Sequence, residues 1–407
     1  MLDSSVGNSS VFLSNVAADY SDNAEDDIGS CDIVDKDSFM RNFALFFLKL
    51  QCRCNVPATT VELISSEIYN LHCQNVDLLL HNVSATLEGG RGTVIHELTD
   101  IVKNSDLITA ALNSDDGLLR THHKRKRFYR DNFRYVEPLE KKVGENKYGR
   151  LTSYHYIPVR DTLQSLLQDE SVFHCLTTHS SVSHDALTDI HDGYVYKQIQ
   201  QTVKQLPFIQ IILYQDAFEV VNPIGSARKM HKIVGVYMAL ANLPVHLRTN
   251  IDHLQLVLLC READVNYFGQ DKIFHCLVRD LQDLESNGLM VNGQLYEVRL
   301  ISFLGDNLGS HWLGGFSTNF SVNSYICRYC LVQRTQDSSS LCVTAAIRTP
   351  ELYRDAVNSL SDTVPSVQGI VRSSVFNSIP CNIIMSVCQA FLHVWDMICL
   401  KVLCSLT

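Results

Sequence analysis

The chain has 407 residues, 46% hydrophobic and 19% charged, which excludes wholesale disorder and leaves room for two or three domains. Its 34 Lys and Arg against 44 Asp and Glu give a net charge of −10, so nucleic-acid contact requires a local basic patch. Fourteen scattered cysteines do not read as a disulfide scaffold, and Met1 to Tyr20 has no basic head followed by an apolar run. Both features point to a reduced setting, nuclear or cytoplasmic and not secreted.

Residues 1–36 are rich in Ser, Asn and acids (Asp19, Asp22, Glu25, Asp26, Asp27) and are expected to form a disordered acidic tail. From Asp37 the pattern changes. Ser38 is placed to cap a helix carrying Phe39, Phe43, Phe46, Phe47 and Leu50 near the 3.6 period. Thr59 or Thr60 opens a second helix through Val61, Leu63, Ile64, Ile68, Tyr69 and Leu71, and His96 to Asn104 is a third. Residues 37–120 therefore read as a helical region.

Residues 121–200 read as a basic linker and connecting segment. Lys124, Arg125, Lys126, Arg127, Arg130 and Arg134 interleave there with Phe128, Tyr129 and Phe133. Cations for phosphates beside aromatic faces for bases are the means of nucleic-acid contact, and the four-residue basic run also suits nuclear import. A solvated linker with incidental aromatics is the alternative.

From residue 201 to 335 the pattern predicts a sheet. Phe208–Tyr214 reads as a buried strand ending at Asp216, followed by a Pro223/Gly225/Ser226 turn. Ile233–Leu240 and Leu254–Cys260 read as two more strands. Ile273, Leu277, Leu281 and Leu284 mark a helix stopped at Asn287-Gly288, and Tyr296–Leu304 is a fourth strand running into Gly305-Asp306-Asn307. Three strands, a helix and a strand make an α/β fold with a carboxylate at two strand ends.

If the first and fourth strands are neighbours, Asp216 and Asp306 come together as two hard oxygen ligands for Mg²⁺ or Mn²⁺. The alternative is that each caps a turn. Cys327-Arg-Tyr-Cys330 has the spacing for two thiolates on one Zn²⁺, with Cys342 and His311 as weaker further ligands; a pair of buried small hydrophobes is the alternative. Glu219 should point away from Asp216 along an alternating strand, and Asp264 lies outside the site.

Taken in order, these segments resemble a known family. Leu213-Tyr-Gln-Asp216-Ala-Phe-Glu-Val-Val-Asn-Pro-Ile-Gly225 and Val236-Tyr-Met-Ala-Leu-Ala-Asn242-Leu-Pro244 are similar to the first catalytic segment and second strand of DDE transposases of the CACTA (En/Spm-like) type and their animal relatives. Gly305-Asp-Asn307, Leu313-Gly-Gly-Phe-Ser317 and Cys327-Arg-Tyr-Cys330 follow in the family's order. The resemblance implies a ribonuclease-H-like mixed-sheet core, incomplete here and preceded by a mainly helical region. It also implies divalent metal on Asp216 and Asp306, zinc on Cys327 and Cys330, DNA as partner, and an ancestral activity of DNA strand cleavage and transfer.

Departure from the family begins near Pro380–Asn382. The family's acidic downstream string is replaced by Leu392-His-Val-Trp-Asp-Met-Ile-Cys-Leu-Lys401, which matches that string read in a shifted frame. Residues 336–407 are thus expected to be a degenerate, non-spanning segment, and the chain inactive for want of a third acid. Glu351 is the one tempting substitute, but Pro350 places it at a helix start. A non-catalytic nucleic-acid or protein-binding module is the alternative function.

Overall fold

A computed structural model of the chain describes residues 35–86, 92–177, 189–219, 232–248, 250, 253–321, 325–333 and 345–379. The acidic tail up to residue 34, the Pro223/Gly225/Ser226 turn, Cys342 and everything beyond residue 379 lie outside the described residues. Two compact units divide between Tyr135 and Val136.

The first unit is helical: α1 (Lys36–Cys52), α2 (Ala58–Thr86), α3 (Gly92–Asn104), α4 (Leu107–Leu112) and α5 (His122–Asn132). Asp35, not Ser38, caps α1, accepting from the backbone N–H groups of Asp37 and Ser38 at 2.8 and 3.1 Å. A carboxylate three residues earlier satisfies the same orphan donors and adds favourable charge at the positive helix end. The apolar stripe of α1 buries Met40, Ala44, Leu45, Phe47 and Leu48 against Val61, Ala111, Leu112, Leu119 and Tyr129. The basic stretch is therefore no linker. As α5 it completes this core, so the unit runs 15 residues beyond the expected boundary at 120, to Tyr135.

The second unit is α/β. Its strands are β1 (Leu139–Glu145), β2 (Leu151–Tyr156), β3 (Ile209–Glu219), β4 (Lys232–Leu240), β5 (Gln255–Arg261), β6 (Leu289–Val291), β7 (Gln294–Tyr296) and β8 (Val298–Gly305). Six of them form one mixed sheet in the order β1-β2-β5-β4-β3-β8, and β6 and β7 form a separate hairpin. Neighbours are antiparallel except β3 and β8, which run parallel.

Between the strands lie α6 (Val159–Leu166), α7 (Glu170–Thr177), α8 (Tyr194–Thr202), α9 (Val245–Arg248), α10 (Glu262–Phe268), α11 (Gln270–Ile273) and α12 (His275–Asn287). After β8 come α13 (Asn307–Leu313) and α14 (Pro350–Asn358). One face of the sheet, bearing Ile211 and Leu213, packs under Leu277, Leu281 and Leu284 of α12. The other, bearing Phe208, Ile212 and Ile301, is covered by Tyr196 and Ile199 of α8. Gly288 stops α12 as expected, at φ +67, where an added Cβ would meet the Tyr296 carbonyl oxygen at 2.5 Å. Among the described residues no helix is long and apolar enough to cross a membrane.

Candidate functional site

The two aspartates are brought to adjacent strands. Parallel pairing of β3 with β8 ends at Gln215 opposite Gly305, so Asp216 and Asp306 are the next residues on each chain. Strands in a sheet lie about 4.8 Å apart, which puts the two residues at neighbouring positions, while the Asp306 carboxylate turns toward the Gln215 side chain: a Cβ on Gly309 would lie 2.8 Å from Asp306 Oδ1 and 2.6 Å from Gln215 Oε1. Asp216 is not past its strand as the sequence suggested. It lies within β3, which continues antiparallel to β4 as far as Glu219 opposite Lys232. Alternation sets Asp216 on the face of Ile212 and Tyr214, away from α12, and sets Glu219 on the opposite face. On the other flank Asp216 pairs with Gly235, where the space a Cβ would take is bounded by the ring and hydroxyl of Tyr237 of β4 at 3.0 Å and by Phe218 at 3.2 Å.

Asp306 caps α13, accepting from the Gly309 backbone N–H, and is exposed. The Asp216 carboxylate is half-buried and accepts from the Ala217 N–H at 2.8 Å. Under α13 the Gln215 amide is buried, and a Cβ on Gly309 would lie 2.6 Å from its Oε1. Only glycine at 309 allows the helix to sit this close to β3.

His311 is a structural side chain. It is buried, Nδ1 donates to the Ser317 carbonyl at 3.1 Å, and Phe316 and Phe320 stand edge-on to its ring. Burial, helped by the charges of Arg328 and Arg348 and opposed by the Ser317 carbonyl, pushes its pKa down to about 4, so it is neutral at pH 7.

Cys327 and Cys330 are free thiols at the two ends of a tight turn. The Tyr329 N–H donates to Cys327 Sγ at 3.3 Å. Burial, with the Cys327 sulfur adding to it, raises the Cys330 pKa above its ordinary value. The turn is tied to residues 346–348 by Leu331 N–H to Ala346 O at 2.9 Å and Arg348 N–H to Tyr329 O at 2.8 Å. Two buried arginines anchor it further. Arg348 donates to Cys327 O at 3.1 Å and lies over the Phe316 ring, and Arg328 donates to the Asn307 side chain beside Asp306. The cysteine turn, the Gly314-Gly315-Phe316 segment and the acid-bearing helix are thus one hydrogen-bonded assembly. Among the described residues no group of three or more His, Cys, Asp and Glu is gathered as metal ligands.

The basic stretch is only partly available. Arg125 is fully buried, donates to the carbonyls of Leu119 and Arg120 at 2.9 and 3.1 Å, and lies over the Phe47 ring. It cannot reach a phosphate. Tyr129 is buried and Phe128 and Phe133 pack against the core, so these aromatics offer no stacking face. The helical period explains the correction, because positions 122, 125 and 129 turn inward while 123, 127, 130 and 134 turn outward. Arg127, Arg130 and Arg134 are exposed, and Lys124 and Lys126 half-exposed. Glu351 lies in the first turn of α14, exposed and paired with Arg354 at 2.9 Å.

Sequence reasoning missed Gln215, Asn307, Arg328 and Arg348. Arg328 carried a signal, since it lies between the two cysteines. Arg348 carried none, because its partners are 19 or more residues away. No protein-family model matches this chain, and no curated protein matches it.

Proposed function

We propose that this chain is a transposase-derived protein whose second unit is a partial ribonuclease-H-like core, ancestrally cleaving and joining DNA strands with divalent metal. The observation that carries the reading is the acid pair, one residue beyond the Gln215–Gly305 register on parallel neighbours. The strand arrangement supports it: an antiparallel β3-β4-β5 meander with β8 added in parallel beside β3 is what such a core would have.

Asp216 and Asp306 would hold Mg²⁺ or Mn²⁺, whose chemistry is to stabilise charge on the oxygens of a phosphodiester undergoing displacement. Cys327 and Cys330 would hold Zn²⁺, half of a tetrahedral site. Around the acids, Tyr237 lies over Gly235 beside Asp216, the cap on α13 orients Asp306, and the Arg328–Asn307 contact fixes the start of that helix. The family's acidic string does not follow Ser378, and a two-metal site needs a third carboxylate. In this form the chain binds a divalent ion and does not cut DNA.

Calorimetric titration with Mn²⁺ and a plasmid-nicking assay test this. Asp216→Ala and Asp306→Ala should each weaken Mn²⁺ binding at least about tenfold, and no variant should nick DNA. Unchanged affinity in both variants refutes the acid pair. Nicking that vanishes in Asp216→Ala refutes inactivity and keeps the ancestry. A second reading, non-catalytic nucleic-acid binding by the helical unit, is favoured by the outward-facing Arg127, Arg130 and Arg134.

A further inference from the structure

Helices α2 and α3 present an apolar surface that no described residue buries. Over 29 residues α2 has only Val61 and Ser65 buried, both in its first third, and α3 has none. Yet α3 is strongly amphipathic: Val94, Leu98, Ile101 and Val102 fall at i, i+4, i+7 and i+8, a single stripe. Ile101 is 60% exposed and its three companions 37–41%. Beyond the core, α2 adds Leu79, more than half exposed, and Val83 one turn on.

The two helices pack side by side, with Val76, Leu80, Ile95 and Thr99 half-buried along their faces. The six aliphatic side chains together leave roughly 500 Å² of apolar surface in water, within the range of the largest patch on a typical monomer. Short helices gain their stability from tertiary packing of the apolar face, so an unburied stripe on a 13-residue helix calls for a partner.

We propose that this surface is a self-association site, at which the α2–α3 pair of one copy packs on that of a second copy to form a four-helix arrangement. Two facts favour a second copy over a foreign partner. The area suffices, since two such faces would bury about 1,000 Å² of apolar surface, and the polar margin around them brings the total into the range of specific interfaces. The stripe is also neutral: its positions carry no charged residue, and on α3 the nearest is Glu97, so like meets like without charge repulsion. A twofold pairing uses the same patch on both copies and closes, leaving no open edge for further growth.

Sedimentation velocity on the full chain over a concentration series tests the proposal. The expected result is a monomer–dimer equilibrium, with the dissociation constant at least about 100-fold higher in Leu98→Lys/Ile101→Lys, because each ammonium enters the apolar interface twice. Both sites are solvent-facing, so far-UV circular dichroism should be unchanged. Leu98→Ala/Ile101→Ala gives a smaller increase and serves if the lysine variant misfolds. A control, Tyr148→Lys, at a 74% exposed residue of the second unit, should leave the equilibrium alone. A full chain that stays monomeric up to about 100 μM, where an interface of this size is populated, overturns the proposal. So does a dimer that both Leu98/Ile101 variants leave intact, or one that Tyr148→Lys dissolves equally.

Discussion

Replacing Asp216 by Asn separates an acid pair from two unrelated surface carboxylates. Asn keeps the size and the oxygen that accepts from Ala217 N–H, and it removes one charge beside Asp306. With strands ~4.8 Å apart, carboxylates that share an ion as proposed would lie about 5–7 Å from each other. For one half-buried and one exposed group, effective dielectric values between that of a protein surface and that of water give a repulsion of about 1–2 kcal/mol. Without metal, Asp216→Asn should therefore stabilise the second unit. At about 2–4 °C per kcal/mol for a unit of this size, the midpoint should rise by roughly 2–8 °C.

With Mn²⁺ the order reverses. An ion at 100 times its dissociation constant stabilises the wild type by about 2.7 kcal/mol, and the variant, lacking one ligand, by little. Thermal unfolding followed by near-ultraviolet circular dichroism, in EDTA and in Mn²⁺, reads both effects. A variant that is less stable in EDTA and gains as much from Mn²⁺ as the wild type would show that the two carboxylates do not share a field or an ion.

The other predictions concern the surroundings. Gly315→Ala should cost about 3 kcal/mol or more, because φ is +76 there and a Cβ would overlap the Arg372 carbonyl; denaturant unfolding measures it. His311 is held neutral, so the folded state resists a proton that the unfolded state accepts. Stability should fall as pH drops from about 6.5 to about 4, by roughly 3 kcal/mol in all, and His311→Gln should flatten that part of the curve. In DNA-binding titrations Arg127→Ser/Arg130→Ser/Arg134→Ser should make the slope of log K against log salt shallower by about 2–3. Arg125→Ala should leave the slope alone and destabilise the helical unit by about 2–4 kcal/mol, read by chemical denaturation.

The basic stretch shows where reading by composition stops. Six cations and three aromatics in a row carry the same chemistry whether they face water or core, and only the helix formed around them sorts Arg125 and Tyr129 inward and Arg127 and Arg130 outward. Once a helix is assumed, the 3.6 period alone would have made that division. The β1–β2 hairpin is harder to read: Leu139–Glu145 is polar and mostly exposed, an edge strand with little apolar alternation to reveal it.

Local periodicity and turn chemistry were enough to establish the core strands, the helix ending at Gly288, the Gly–Asp boundary after β8 and the helical character of residues 37–120, because these depend on neighbours within one or two turns of chain. Tertiary structure alone decided that β8 lies parallel to β3, 90 residues away in sequence, and that this register sets Asp216 beside Asp306. It alone brought Arg348 to the carbonyl of Cys327 and Arg328 to Asn307. Pairings of this kind are selected by burial of whole faces and by hydrogen-bond satisfaction across the sheet, and no single segment carries that information.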